Sequence, residues 1–127
     1  MSNTLTTMYK HPFAKGDKMT NEEKDTALEK NKNNPAELVY LALVNGERWI
    51  EAEPIIMAVP HFAYVYSLYI MRGRWLKAEP TIMVSAYWAY KYATLVLRGR
   101  WLDAEPTIAT NDLWWFLYRQ HFGLTTE

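Results

Sequence analysis

Apolar and aromatic residues recur at helical spacing through three stretches of the chain, near residues 60–72, 86–98 and 112–122. Aligned with one another, the stretches give the rows Phe62, Trp88, Trp114, then Tyr66, Tyr92, Tyr118, then Ile70, Val96, Phe122. Positions i, i+4 and i+8 share one side of an α-helix, whereas a strand would alternate at every second residue. A fourth row, Ala63, Ala89 and Trp115, is small in its first two members, where neighbouring helices can approach closely. The opposite side reads His61, Tyr87, Leu113, then Val65, Lys91, Leu117, then Leu68, Thr94, Gln120. That mixture suits a surface. The pattern predicts three amphipathic helices, termed B helices here.

A second signature precedes each B helix. Arg48-Trp49 leads to Ala52-Glu53-Pro54, Arg74-Trp75 to Ala78-Glu79-Pro80, and Arg100-Trp101 to Ala104-Glu105-Pro106, with a period of 26 residues. A fixed period of this size marks a repeat array, in which one unit cannot bury its own apolar face. Proline deep in a helix loses a hydrogen bond and clashes with the preceding turn. Each signature therefore predicts a short A helix, over about 50–58, 76–84 and 102–110. Pro60 suits a first turn, and Ser85 and Asn111 stand where an N-cap is wanted. Arg72-Gly73 and Arg98-Gly99 predict the ends of the first two B helices. There glycine would take the left-handed turn and arginine would answer the negative end of the dipole.

Upstream, residues 1–19 read as an arm, ordered only where Tyr9 or Phe13 docks. Thr20 and Glu23 fit a capping box opening a charged helix at about 21–31. Asn33 or Asn34 with Pro35 restarts a helix that Asn45-Gly46 closes. The expected fold is all-α: a short helical-hairpin repeat array, α-solenoid-like, with N-terminal capping helices. It forms one domain over 20–127, with about three repeats near 46–72, 73–98 and 99–123.

Composition narrows the function. The 127 residues carry 14 basic and 14 acidic side chains and no cysteine. A neutral balance lacks the basic excess of a non-specific nucleic-acid or acidic-membrane binder. Phe62–Met71, the longest apolar run, is too short to span a bilayer, and Met1–Lys18 does not read as a secretory signal. A cytoplasmic protein is the expectation. His11, His61 and His121 fall in no metal-ligand spacing, and no phosphate loop or nucleophile elbow is present. No metal, cofactor or catalytic residue is assigned, and an enzyme is not expected.

The repeated residues read first as structure. Trp49, Trp75 and Trp101 can be wedges between consecutive repeats or a ladder of stacking platforms. Arg48, Arg74 and Arg100 are expected to pair with Glu53, Glu79 and Glu105, within a repeat or to the next. An adjacent arginine makes a carboxyl a poor general acid. The aromatic excess exceeds what one buried stripe needs. The candidate partner surface is His61, Tyr64, Val65, Leu68, Tyr87, Tyr90, Lys91, Leu113, Phe116 and Leu117.

Gly73-Arg74-Trp75 with Ala78-Glu79-Pro80, and Gly99-Arg100-Trp101 with Ala104-Glu105-Pro106, each followed by an aromatic B helix, resemble tandem repeats of uncharacterised phage and bacterial proteins. The resemblance covers roughly residues 46–122; Ile50, Leu76 and Leu102 stand where that pattern has proline. It implies an all-α repeat fold and a phage origin, and brings no activity. The leading expectation is a non-enzymatic protein-binding module, in its phage version an inhibitor of a host factor acting in the host cytoplasm. The alternatives are RNA or single-stranded DNA binding through Arg72, Arg74, Arg98 and Arg100, and self-assembly into a homo-oligomer through residues such as Val65 and Leu68.

Overall fold

The computed structural model describes residues 18–124, which are helical with no strand among them. The predicted arm, with Tyr9, His11 and Phe13, therefore lies almost wholly outside the described residues. The chain divides into two compact units, Met1–Ile56 and Met57–Glu127.

In the first unit, α1 spans Asn21–Lys30 and α2 spans Pro35–Asn45. The capping box is formed: Glu23 N–H donates to Thr20 Oγ1 at 3.1 Å and Thr20 N–H to Glu23 Oε1 at 2.9 Å. Asn34 caps α2 by accepting from Glu37 N–H, and Gly46 ends it at φ 78°. The segment entering α1 is tied to the far end of α2. Met19 N–H donates to Asn45 Oδ1 at 2.6 Å, and Lys18 Nζ to the Asn45 carbonyl at 2.8 Å. A 3-10 turn over Ile50–Ala52 then runs into α3, Glu53–Ile56.

The second unit contains α4 (Pro60–Tyr66), α5 (Glu79–Ile82), α6 (Ala86–Lys91), α7 (Glu105–Ile108) and α8 (Asp112–Phe122). The A segments are shorter than expected and begin as 3-10 turns, Leu76–Ala78 and Leu102–Ala104. The proline explains the change of winding. Ala78 N–H closes the turn on the Trp75 carbonyl at 3.0 Å, and Ala104 N–H does the same on Trp101. Pro80 and Pro106 then enter the α-helical first turn, where no donor is required. Ser85 Oγ and Asn111 Oδ1 accept from Trp88 and Trp114 N–H, opening α6 and α8.

The ends of the first two B helices differ from expectation. α4 widens into a π-helical turn over Ser67–Met71 and α6 into one over Tyr92–Leu97. The left-handed residue is then the arginine, Arg72 at φ 56° and Arg98 at φ 55°, and neither Gly73 nor Gly99 has a positive φ. Each π turn runs directly into the arginine, which takes the left-handed exit one place before the glycine. Both widened helices carry a hydroxyl bonded back into the preceding turn. Ser67 Oγ donates to the Ala63 carbonyl at 2.7 Å, and Thr94 Oγ1 to Tyr90 and Lys91 carbonyls at 2.9 and 3.2 Å. Such back-bonding bends helices. α8 has Arg119 and Gln120 at those positions and stays α-helical. It ends on Gly123 at φ 67°, with Leu124 N–H bonded to the Arg119 carbonyl.

A left-handed arginine is strained by roughly 1–2 kcal/mol, part of which glycine would return as unfolded-chain entropy. Arg72→Gly and Arg98→Gly are each expected to raise stability by about 0.5–1 kcal/mol in urea unfolding. An unchanged or lower midpoint would mean that the arginine side chains themselves hold the helix ends.

The second unit's core is the row Ala63, Tyr66, Ser67 with Ala89, Tyr92, Ala93, together with Trp75, Ala78, Ile82, Trp101, Ala104, Ile108 and Tyr118, all buried. The rows Phe62, Trp88, Trp114 and Ile70, Val96, Phe122 are only half-buried. Thr94, assigned to the surface by its row, is buried and satisfied by its two backbone carbonyls.

Candidate functional site

Each signature builds the same clamp. Arg48 Nε and Nη2 donate to Glu53 at 2.9 and 2.8 Å, Arg74 to Glu79 at 2.8 and 2.9 Å, and Arg100 to Glu105 at 2.8 Å twice. The pairing is within a repeat and bidentate. In the second unit a tyrosine completes it. Tyr92 Oη accepts from Trp75 N–H at 2.8 Å and donates to Glu79 Oε2 at 2.8 Å. Tyr118 Oη accepts from Trp101 N–H at 2.8 Å and donates to Glu105 Oε2 at 2.6 Å.

The indoles face the other way. Trp75 lies against Tyr66 at 4.9 Å and Trp101 against Tyr92 at 4.8 Å between ring centroids. Each A segment is thus held by the B helix before it through the ring and by the B helix after it through the main chain. Both rings are 4 % exposed, so in this unit they are wedges and not open stacking platforms. Hydrogen bonding to Arg100 holds the Glu105 carboxyl below its usual range, against opposing desolvation. Burial pushes the Tyr92 hydroxyl well up, and that of Tyr118 to about 12. These are settings of a structural joint. A carboxyl so held is a poor proton donor at neutral pH.

Outside this core runs an aromatic ladder. His61 stacks on Trp88 at 4.3 Å and 8°, and Tyr64 meets the same indole at 5.4 Å. One repeat later, Tyr87 and Tyr90 meet Trp114 at 4.7 and 5.6 Å. Positions n and n+3 of one B helix thus receive the tryptophan at n+27. The next pair in this series is Leu113 and Phe116. Among the described residues no ring stacks on them, and they stand 55 % and 46 % exposed.

The ladder decides the predicted partner surface. Tyr64 is buried, contrary to expectation, because the Trp88 indole covers it; burial also raises its hydroxyl pKa. Tyr90 under Trp114 is half-buried, and Phe116, with no such cover, is exposed. His61 and Leu113 are exposed, while Val65, Leu68, Tyr87, Lys91 and Leu117 are half-buried.

Exposed apolar residues also occur where the sequence reading placed none. Leu76 and Leu102, at the start of the 3-10 turns, are 68 % and 65 % exposed, and Val84 is also exposed. Their signal was an apolar residue after each tryptophan at the same period. In the first unit Tyr40, Leu43 and Val44 form an exposed i, i+3, i+4 strip on α2, with Ile50 exposed as well. A helix apolar on all sides was the signal there.

A cleft of about 390 Å³ opens between the two π-helical ends, lined by Leu68, Tyr69, Arg72, Gly73, Leu95, Val96 and Arg98. Arg74 and Arg100 are committed to their glutamates. Arg72 and Arg98 are exposed and have no ion pair or hydrogen-bonding side chain among the described residues. The four-arginine ridge read from the sequence thus leaves two free guanidinium groups in this unit.

No group of His, Asp or Glu suited to a metal occurs among the described residues. His61 is engaged with Trp88 and His121 packs edge-on against Phe122 at 4.8 Å. No helix among the described residues is long and apolar enough to cross a membrane. Comparison of the chain with models of known protein families, with curated proteins and with solved structures finds no match, so the site is read from its own geometry.

Proposed function

We propose that the chain is a non-enzymatic protein-binding module, engaging its partner at the open rung of the aromatic ladder. One observation carries this reading. Leu113 and Phe116 occupy the two positions that twice before in the chain receive an aromatic ring, and here they are exposed to water. Exposed apolar and aromatic side chains at positions that a ring covers elsewhere in the chain are candidates for interface hot spots. The partner would supply that ring on a protein surface. The resemblance to phage repeats makes proteins of a bacterial host the first class to screen.

The test is affinity capture with the full chain and with a Leu113→Asp, Phe116→Asp variant. The wild-type chain should retain a stoichiometric protein that the variant loses, while Tyr40→Asp, on α2, retains it. A partner held equally by all three chains would remove the ladder from the interface. Recovery of no stoichiometric protein would count against the function itself. Self-association is the competing outcome: sedimentation showing a concentration-dependent dimer, abolished by the same variant, would make the partner a second copy.

A further inference from the structure

The π turns say where the first two B helices turn left-handed, and leave unexplained why an arginine stands at that place. Arginine sits in the left-handed conformation that glycine adopts cheaply, while the glycine one residue later makes no use of that freedom. Nor does Gly73 make room for a neighbour, since a Cβ built there would meet nothing within 4 Å. The arrangement keeps a long cation where strain argues against one, and keeps a side chain out where space would allow one. Strained backbone of this kind concentrates at ligand-binding and switch sites, and π turns occur often at functional sites.

Both oddities bear on the same cleft. Arg72 and Arg98 line it from equivalent positions one repeat apart, and Gly73 lines it too, with open space where its side chain would be. Its remaining walls are Leu68, Tyr69, Leu95 and Val96, of which Tyr69 is 58 % exposed and Leu95 is also exposed. No acidic residue lines it. The carbonyl ends of two helices lie nearby and each contributes roughly half a negative charge, which the two full guanidinium charges exceed. A volume near 390 Å³ falls within the range of small-molecule sites, roughly 300–1,000 Å³.

We infer that this cleft binds a small phosphate monoester bearing a planar apolar group. Arg72 and Arg98 would hold the phosphate, since guanidinium donors match its oxygens two at a time. Tyr69 and Leu95 would cover the planar body, the aromatic face stacking on it as in base recognition. The inference does not depend on the ladder, which uses other residues.

Calorimetric titration of the full chain at low ionic strength tests it, with phenyl phosphate, inorganic phosphate and phenol as probes. Phenyl phosphate should saturate one site per chain, at least tenfold more tightly than inorganic phosphate, and phenol should give no binding. Arg72→Gly and Arg98→Gly should each weaken phenyl phosphate at least tenfold, although glycine suits the backbone there and the fold is kept. Gly73→Leu retains both charges, adds bulk to the lining and should weaken it similarly. Absence of saturation, or full binding by Gly73→Leu, would overturn the assignment. Equal affinity for the two phosphates would overturn its apolar half. Tighter binding of a single-stranded oligonucleotide, with a salt dependence beyond two phosphates, would overturn the small ligand in favour of a nucleic acid.

Discussion

Trp101→Ala is expected to cost about 3–5 kcal/mol of unfolding free energy, the range for truncating a buried aromatic. The ring is 4 % exposed and packs on Tyr92 at 4.8 Å. An indole of this kind removes roughly 150–250 Å² from water, worth about 4–6 kcal/mol at 25 cal/mol per Å². Small domains hold only about 5–15 kcal/mol in all, so the loss is a large fraction of the total. Leu102→Ala, one residue on and 65 % exposed, is the control and should stay within about 0.5 kcal/mol. Chemical denaturation measures both. A loss below about 1 kcal/mol for Trp101→Ala would mean that the ring is not the wedge its burial indicates.

The second large effect concerns the clamp. Glu79 receives two bonds from Arg74 and one from Tyr92, and is itself buried. Glu79→Ala should cost about 2–3 kcal/mol, the worth of hydrogen bonds to a charge, with Arg74 able to turn into water. Tyr92→Phe strips Trp75 N–H of its acceptor and Glu79 of a donor, and should cost about 1–3 kcal/mol. Because both act through one network, the double variant should fall short of the sum by at least about 0.5 kcal/mol. Full additivity would dissolve the network. By contrast, Lys32→Ala, which breaks an exposed pair with Glu29, should change stability by under about 1 kcal/mol.

The same clamp sets a pH window in the last repeat. Glu105 has a lowered folded pKa, so it contributes stability above the unfolded carboxyl value, and loses it as pH falls through the folded one. Tyr118 has a raised folded pKa, about 12 against about 10 unfolded. Its contribution is full below about 10 and is lost as pH rises from there through about 12. Glu105→Gln should flatten the acid limb of stability against pH, and Tyr118→Phe the alkaline limb. Unaltered limbs would place the pH dependence elsewhere.

Why the sequence reading missed some surfaces follows from what a local pattern records. Tyr64, Tyr90 and Phe116 hold the same register in three similar helices, yet run from buried through half-buried to exposed. The cause is a tryptophan 24 residues further on, which covers the first two, whereas no ring among the described residues covers the third. Arg72 and Arg74 are both arginines in one Arg-Gly-Arg turn, but only Arg74 has a glutamate five residues later to hold it. The left-handed residue falls on the arginine in helices that each carry a back-bonded hydroxyl, Ser67 or Thr94, and hydrophobic spacing records neither that bond nor the π turn beside it.

By itself the sequence determined the helical content and the 26-residue period, and it pointed to structural roles for Trp49, Trp75 and Trp101 and to pairing of Arg48, Arg74 and Arg100 with glutamates. These follow from proline, capping and hydrophobic spacing, which act within a few residues of chain. The tertiary structure alone decided which repeat each arginine serves, which aromatics remain in water, and that two strained arginines share one cleft. Those outcomes depend on how successive helices cover one another, and a cover is supplied by residues distant in the chain.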